Sequence, residues 1–282
     1  MKLYLITDSS QQTTTDLLVQ ACKSRDVEPV ILYPKTTHPL DLHPTPRDAV
    51  YRIATFHVYG ATELMQLLIS QGATSFYRDP TFIPTPGRPD DLIYAQHDVP
   101  IPQTIPYIPQ DRAVLDDCVQ RLGGFPIILK ALGGSHGVGV MRVDSSQSLY
   151  SVADYLRQQP GRAVMKQYCD VTSTARLIVL GDQVIDSIQY TAPAGDFRSN
   201  EGAQPNVSAR QFDDDINDVA VRAVHALGLE FGGVDIMLTP DGPKIAEVNC
   251  PCYFPRCQLL TGTDIAGQMV DYLKRKAEIR TA

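Results

Sequence analysis

Three oxygen-bearing side chains near the C-terminal end of the chain have the spacing expected on one face of a β-hairpin. Two short apolar runs, 233–238 and 244–249, flank the turn Thr239-Pro-Asp-Gly-Pro243. Proline fixes φ and glycine accepts a positive φ, so this sequence predicts a tight turn between two paired strands. Because side chains alternate faces along a strand, Glu247 and Asn249 point the same way, and Asp235 on the partner strand can join them.

Two carboxylates and one amide are ligands that hard divalent cations such as Mg²⁺ prefer, usually together with phosphate oxygens of a nucleotide. A hairpin whose polar face simply meets water has the same sequence pattern. The residues that the rest of the chain brings to this face therefore decide between the two interpretations.

A lysine followed by a glycine-rich stretch is the second candidate for chemistry. Lys130 ends the apolar run 125–130, and Gly133-Gly-Ser-His-Gly-Val-Gly139 follows it. Backbone N–H groups in such a turn can bind phosphate oxygens, and a nearby lysine adds positive charge. The stretch is neither a P-loop nor a dinucleotide fingerprint, because a strand rather than a helix follows the glycines. A hairpin turn beside a solvated Lys130 is the other interpretation.

Two arginines and three cysteines complete the candidates. Arg198, within Gly195-Asp-Phe-Arg-Ser-Asn200, and Arg176, early in a strand, can each hold phosphate with a planar fork, although a lone arginine is more often a surface residue.

The spacing of Cys250, Cys252 and Cys257 resembles part of a zinc site that lacks its fourth ligand. Small buried or pocket-lining residues are the simpler interpretation of these cysteines. A thiol nucleophile is also possible, but the sequence places no histidine to activate it.

The elements that must position these residues begin with a strand–helix–strand unit over 3–33, which predicts a parallel sheet. Eight prolines within 79–109 indicate a linker between modules, because proline continues neither a helix nor a central strand. Later segments alternate between periodic helices and short strands. The predicted helices are 13–24, 59–70, 111–122, 146–158, 213–227 and 264–276, and the predicted strands are 3–7, 28–33, 49–54, 125–130, 138–143, 163–168, 175–180 and 183–190, followed by the hairpin.

Bulk composition limits the classes of function. The chain has 282 residues, a formal net charge of −7 and a pI near 5.3, which argues against general nucleic-acid binding. No run of 18 apolar residues predicts a membrane span, and the short apolar N-terminus does not resemble a secretion signal. Six cysteines in a chain of this length indicate reduced thiols, and we expect a cytoplasmic protein.

Taken in order, these motifs resemble the ATP-grasp superfamily, and within it the ribosomal-protein glutamate ligase (RimK-like) group with the glutathione synthetases as relatives. The resemblance is strong over about 120–275 and looser over 1–105. It is carried by five motifs: Phe125-Pro-Ile-Ile-Leu-Lys130 with its glycine stretch, Gly195-Asp-Phe-Arg-Ser-Asn200, Gly233-Val-Asp-Ile236, Glu247-Val-Asn249 and Thr261-Gly-Thr-Asp-Ile-Ala-Gly267.

The resemblance implies a mixed α/β and α+β fold with three parts. We expect a Rossmann-like pre-ATP-grasp domain over 1–105, a small central subdomain with a glycine-rich lid loop over 106–167, and a C-terminal antiparallel-sheet subdomain over 168–282.

The resemblance also implies roles for individual residues. Lys130, Arg176 and Arg198 would act on the phosphates and on the acyl-phosphate that forms, and Asp235, Glu247 and Asn249 would hold Mg²⁺, or Mn²⁺ in its place. The further residues that would bind ATP are Gly134, Ser135, Gly137, Gln167, Tyr168 and Asn200.

Three departures from the family pattern bear on substrate binding. Gln167 stands where the hinge residue is usually acidic, and Thr174 stands two residues before Arg176 where the group usually has Asp. The expected upstream lysine is absent from the linker, where Arg88 is the nearest cation. After Asn249 the chain reads Cys250-Pro-Cys-Tyr253 instead of the frequent Ala-Ser-Pro-Gly, so the acceptor does not carry over.

The resulting expectation is an ATP-dependent carboxylate–amine ligase that forms an amide bond on an amino acid, a peptide or a protein terminus. We expect no nucleic-acid or membrane partner, and a homodimer or homotetramer is compatible with the family. The alternative is an ATP-binding protein of the same fold that lacks ligase activity and acts as a sensor or assembly partner.

Overall fold

The structure, a computed structural model, describes residues 1–79, 88–133, 138–191 and 206–281. The first part of the chain forms a three-stranded parallel sheet in the order β2-β1-β3, as the opening strand–helix–strand pattern predicts. Helix α2 begins at residue 61, two residues later than predicted, because Gly60 precedes it at a φ of +82°. The elements are β1 (Lys2–Ile6), α1 (Gln12–Lys23), β2 (Glu28–Leu32), β3 (Ala49–Arg52) and α2 (Ala61–Ser70).

The middle of the chain forms a four-stranded antiparallel sheet in the order β4-β7-β5-β6, with two helices against one face. Asp111 and Ser145 cap the two helices by accepting hydrogen bonds from their first-turn N–H groups. The elements are α3 (Asp90–Gln96), β4 (Thr104–Ile105), α4 (Arg112–Arg121), β5 (Ile127–Ala131), β6 (Val140–Val143), α5 (Ser146–Gln158) and β7 (Ala163–Gln167).

The rest of the chain forms a five-stranded antiparallel sheet in the order β10-β9-β8-β11-β12. The last helix extends to residue 281, beyond the predicted end at 276. The elements are β8 (Ser173–Leu180), β9 (Gln183–Thr191), β10 (Asn206–Ala209), α6 (Asp214–Ala226), β11 (Phe231–Thr239), β12 (Gly242–Asn249), α7 (Pro255–Thr261) and α8 (Ile265–Thr281).

The predicted hairpin of β11 and β12 is present and is longer than expected. Thr239 pairs with Gly242 across the turn, and Gly242 has a φ of +105° that glycine adopts without strain. Asp235 lies opposite Glu247, and Gly233 lies opposite Asn249, with a register shift just after Asp235. The hairpin therefore places the three candidate ligands at one end of the C-terminal sheet.

Three hydrophobic cores hold the described residues together. Two of them contain side chains from both the N-terminal and the C-terminal sheets, with Leu177 in one and Phe231 in the other. The third consists of residues between 105 and 165, such as Leu115 and Leu149, packed on the central sheet. The mixed α/β and α+β architecture is as expected, while the domain boundaries at 105/106 and 167/168 stay a prediction.

Candidate active site

The hairpin brings Asp235, Glu247 and Asn249 together, and we call this group the acidic platform. The Asn249 Nδ2 donates to Asp235 Oδ2 at 3.1 Å and to Glu247 Oε1 at 3.4 Å. Asp235 is buried, whereas the Glu247 side chain is 48% exposed and faces the open side of the sheet. Oxygens of both carboxylates thus converge on one amide nitrogen, at a point where negative potential favours a cation.

Arg176 lies opposite Asp235 on the neighbouring strand β8 and holds its carboxylate with both arms of the guanidinium fork. The Nε donates to Oδ1 at 2.8 Å and the Nη2 donates to Oδ2 at 2.7 Å. Burial alone would lower the pKa of Arg176, but the charge of Asp235 together with its hydrogen bonds outweighs burial and raises the pKa well above the ordinary value. The two predicted site residues therefore form a buried ion pair with each other.

Lys130 reaches the acidic platform from the central sheet. Its neighbours on β5, Ile127 and Leu129, face the central core, so Lys130 projects from the opposite face. The Lys130 Nζ donates to Glu247 Oε2 at 3.4 Å, across 117 residues of sequence. The central and C-terminal sheets therefore face each other across a cleft lined by opposite charges.

Lys166 is a second lysine on the Lys130 side of the central sheet, and sequence reasoning did not select it. Met165 faces the central core, so Lys166 points to the opposite face, where its Nζ donates to Asp91 Oδ1 at 2.6 Å. Burial lowers the pKa of Lys166, the Asp91 charge opposes that effect, and the Lys130 charge adds to it. Val164, Met165 and Lys166 are three consecutive buried residues of β7, so no alternation along the strand distinguishes the lysine in the sequence.

The predicted hinge lies where the central sheet leads into the C-terminal sheet. The backbone N–H of Gln167 donates to the Gln103 carbonyl at 2.9 Å, and Arg142 lies over the ring of Tyr168 at 4.8 Å. Thr174 is buried, and its Oγ1 has no hydrogen-bond partner among the described residues. A buried hydroxyl without a partner is uncommon, and it lies on the strand that carries Arg176.

Five of the predicted site residues lie outside the described residues. They are Gly134, Ser135, Gly137, Arg198 and Asn200. The base of the glycine-rich stretch is described, and there the Ala131 N–H donates to the Gly139 carbonyl at 2.9 Å.

Among the described residues, the three cysteines after the hairpin are not grouped as metal ligands. Cys252 and Cys257 are buried in a hydrophobic core, and burial raises the pKa of Cys257 to about 12 and that of Cys250 to about 11. Within the described ranges, no group of three or more His, Cys, Asp or Glu side chains is placed to hold a metal ion. The acidic platform is not such a group, because its third member is an asparagine.

No helix in the described part of the chain is both long enough and apolar enough to cross a membrane.

Comparison with known proteins identifies the family. A sequence model described as the RimK-like ATP-grasp domain matches residues 91–273. A curated relative from Salmonella paratyphi B, named ribosomal protein bS6–L-glutamate ligase, is 32% identical over 192 residues, which are 66% of this chain and 62% of the relative. The match thus spans less than two thirds of that relative's length.

Solved structures share the fold across nearly the whole chain. The ATP-grasp ligase PsnB, solved with a minimal precursor, Mg and ADP, is 16% identical with a TM-score of 0.75, over 98% of this chain and 97% of that chain. A RimK domain ATP-grasp protein from Sphaerobacter thermophilus is 19% identical with a TM-score of 0.69, over 96% of this chain and 99% of that chain. At these identities the likeness supports the ATP-grasp fold alone. Together with the match over residues 91–273, it leads to one assignment: the chain belongs to the RimK-like ATP-grasp family.

Proposed function

We propose that this protein is an ATP-dependent ligase that joins a carboxylate to an amine through an acyl-phosphate, with an amino acid, a peptide or a protein terminus as substrate. The main observation in support of the proposal is the contact between Lys130 and Glu247 across the cleft. Membership of a ligase family supports it, and the names of the relatives agree with substrates of this kind. We also propose that 1–105, 106–167 and 168–282 are its three structural units.

The charges around the cleft suit such a reaction. A carboxylate and the γ-phosphate of ATP are both anions, so their approach requires positive charge. Lys130 and Lys166 lie on one wall and Arg176 lies on the other, and each of the three is paired with a carboxylate, namely Glu247, Asp91 and Asp235. Arg198 and the glycines of 133–139 would add donors to the phosphates if their predicted roles hold.

The acidic platform fits a divalent cation by the chemistry of its donors. Asp235 and Glu247 carboxylate oxygens already converge on one donor, the Asn249 amide. Mg²⁺, or Mn²⁺ in its place, would supply charge neutralisation of the phosphate oxygens when bound there. The residues themselves would orient the nucleotide and exclude water from the cleft.

The proposed reaction has two steps, formation of an acyl-phosphate and its displacement by an amine. A carboxylate oxygen attacks the γ-phosphorus, the bond from that phosphorus to the bridging oxygen breaks, and ADP leaves. The amine nitrogen then attacks the acyl carbon, the bond from that carbon to the phosphate oxygen breaks, and phosphate leaves while the amine proton passes to solvent. Lys130 would balance charge in the first step, in which the two anions meet.

A nucleotide-binding role without ligase activity is the second candidate. Both oxygens of Asp235 are engaged by Arg176, and Thr174 and Gln167 depart from the family pattern in the region of the hinge. A protein of this kind would bind ATP and release no ADP when offered a carboxylate and an amine.

ADP release tests the proposal and separates the two candidates. We expect ADP release to require Mg²⁺ or Mn²⁺ and to stop when a chelator is added. A carboxylate together with an amine should stimulate it, and mass spectrometry of the products should identify the pair of substrates. Glu247→Gln and Lys130→Ala should each lower release by at least about 100-fold, since each removes charge from the cleft. Asp241→Asn is the matched control, because it removes an exposed carboxylate from the turn of the same hairpin.

Full activity of either site variant would contradict the assignment of the site. ATP binding without ADP release, across the whole set of carboxylates and amines, would favour the second candidate.

A further inference from the structure

Lys166 is a buried lysine whose ammonium group is only partly used. Its side chain is 9% exposed, and its Nζ donates to Asp91 Oδ1 at 2.6 Å. An ammonium group carries three N–H donors, and this Nζ donates to no second acceptor within the described ranges. Buried polar groups normally have their hydrogen bonds satisfied, so two N–H groups of Lys166 are available to a ligand.

Lys276, on α8, shows how a lysine with a structural role is held in this protein. Its Nζ donates to the carbonyl oxygens of Ser75 and Tyr77, each at 3.0 Å, and to a carboxylate oxygen of Glu230. Three acceptors thus match its three N–H groups, although its side chain is 23% exposed and more accessible to water than that of Lys166. The single acceptor of Lys166 therefore differs from the pattern of a purely structural ion pair.

The ammonium group of Lys166 lies beside Lys130 on the wall of the cleft. Ile128 pairs with Lys166 across β5 and β7, and Lys130 follows two residues later on the same face. Such diagonal neighbours lie about 7 to 8 Å apart, within reach of long side chains. Burial lowers the pKa of Lys166, the Asp91 charge opposes that effect, the Lys130 charge adds to it and the Glu247 charge acts against it. Lys166 is thus close to both partners of the contact across the cleft.

Two neighbouring ammonium groups on one wall suit a ligand with several negative charges. The like charges of Lys130 and Lys166 repel each other, and an anion bound between them would offset that repulsion. Phosphate oxygens accept charge-assisted hydrogen bonds, and a chain of phosphates can meet both lysines at once. The carboxylates of Glu247 and Asp91 neutralise the two lysines in the ligand-free protein.

We propose that Lys166 binds the nucleotide through the N–H groups that Asp91 does not use, at the phosphate nearest the nucleoside. Lys130 adjoins the glycine-rich stretch, where the reacting phosphates are expected, and Lys166 adjoins Gln167 of the predicted hinge, where the base is expected. Lys166 therefore meets the phosphate between these two ends. This role rests on the nucleotide binding that is part of the proposed function, and it does not require turnover.

Nucleotide affinity measured without turnover tests the role of Lys166. The probes are ADP, AMP and adenosine with Mg²⁺ present, titrated by calorimetry for the nucleotides and by ligand-observed NMR for adenosine. Lys166→Met should weaken the binding of ADP and of AMP to a similar extent, at least about tenfold, because it removes a charge-assisted contact with phosphate. Adenosine has no phosphate, so its affinity should change by less than about twofold.

Asp91→Asn distinguishes a ligand contact from a structural one. It keeps the lysine and removes the carboxylate that shares its ammonium group, so ADP binding should become tighter by at least about threefold. The melting temperature of the ligand-free variant should fall, because Lys166 is left buried without its partner. A lysine that only joined α3 to β7 would give weaker ADP binding in both variants.

Two further variants control for stability. Lys166→Met combined with Asp91→Asn leaves no unpaired charge, so it should be more stable than Lys166→Met alone and still bind ADP at least about tenfold more weakly than the wild type. This double variant decides if Lys166→Met alone does not fold. Lys276→Met breaks the ion pair with Glu230 and should lower the melting temperature without changing the affinity for ADP.

Three results would overturn the role of Lys166: wild-type affinity for ADP in the double variant, an equal loss for adenosine and ADP in Lys166→Met, or equal losses of ADP binding in Lys166→Met and Asp91→Asn. Failure of the ligase proposal has a different signature, namely ADP binding that depends on Lys166 without any release of ADP from ATP when a carboxylate and an amine are supplied. A wild-type protein that binds no adenine nucleotide would contradict both.

Discussion

Asp235 is the counter-ion of the buried Arg176 in the C-terminal sheet. One carboxylate accepts two hydrogen bonds from Arg176 and one from Asn249, and it is 4% exposed. Any cation that binds the acidic platform must share this carboxylate with Arg176. We therefore expect Arg176 to contribute to the stability of the fold as well as to the proposed chemistry.

Asp235→Asn should reduce the free energy of unfolding by about 3 kcal/mol, because it leaves the buried Arg176 charge without its partner. Arg176→Met removes that unpaired charge, so the double variant should be less destabilised than the sum of the two single variants. Urea unfolding of all four proteins measures this coupling. Additive losses would show that the two side chains do not stabilise each other.

Local sequence pattern predicted which residues share the hairpin face, because alternation along a strand is a local property. It did not predict that Arg176 would hold Asp235 or that Lys130 would meet Glu247. Those contacts join residues 59 and 117 positions apart, and only strand order and the packing of sheets bring them together. Lys166 was missed for the same reason, since its partner Asp91 lies 75 residues away.

Strand β11 needs a glycine opposite Asn249. A Cβ added at Gly233 would clash with the Sγ of Cys252, and Cys252 is 2% exposed. The chain after β12 therefore packs directly on the backbone of β11. This close approach holds Cys252, and with it the segment 250–253, against the C-terminal sheet.

Gly233→Ala should lower the free energy of unfolding by about 2 kcal/mol, as expected for overpacking of a buried site. Adding Cys252→Ala removes the clashing sulfur and should restore most of the loss, with Cys252→Ala alone as the control. Thermal and urea unfolding measure both effects. A double variant no more stable than Gly233→Ala would show that Cys252 is not what requires the glycine.

Elements with a long periodic pattern were predicted well, whereas some of the short ones were missed. Helices α5 and α6 and the hairpin follow from apolar spacing, capping residues and turn chemistry. Strands β4 and β10, with two and four residues, are defined by the strands they pair with and have little pattern of their own. Helix α7 was also missed, in the segment that sequence reasoning treated as a cysteine motif.

At the scale of the whole molecule, the central sheet and its helices form a unit with a core of their own. The other two cores join the N-terminal and C-terminal sheets into one body. Lys130–Glu247 and Lys166–Asp91 connect the central unit to that body, and α3, which carries Asp91, packs into the larger core through Tyr94. Ionic contacts of this kind can separate without exposing an apolar core, so the arrangement suits a lid that opens and closes over a nucleotide.

The central unit and the body formed by the other two sheets should also unfold as separate cooperative units. Leu149→Ala removes a fully buried side chain from the central core, which should cost about 2 to 5 kcal/mol there. Amide hydrogen exchange measured by mass spectrometry should then accelerate by at least about 30-fold across 112–167 and remain unchanged across 173–180, since a tenfold change corresponds to about 1.4 kcal/mol.

The matched variant Leu177→Ala, in the core shared by the other two sheets, should give the opposite pattern. If either variant accelerated exchange equally in both regions, the molecule would unfold as one unit. The charged contacts across the cleft would then be part of a single cooperative structure, and opening of the central unit would require more than the separation of two ion pairs.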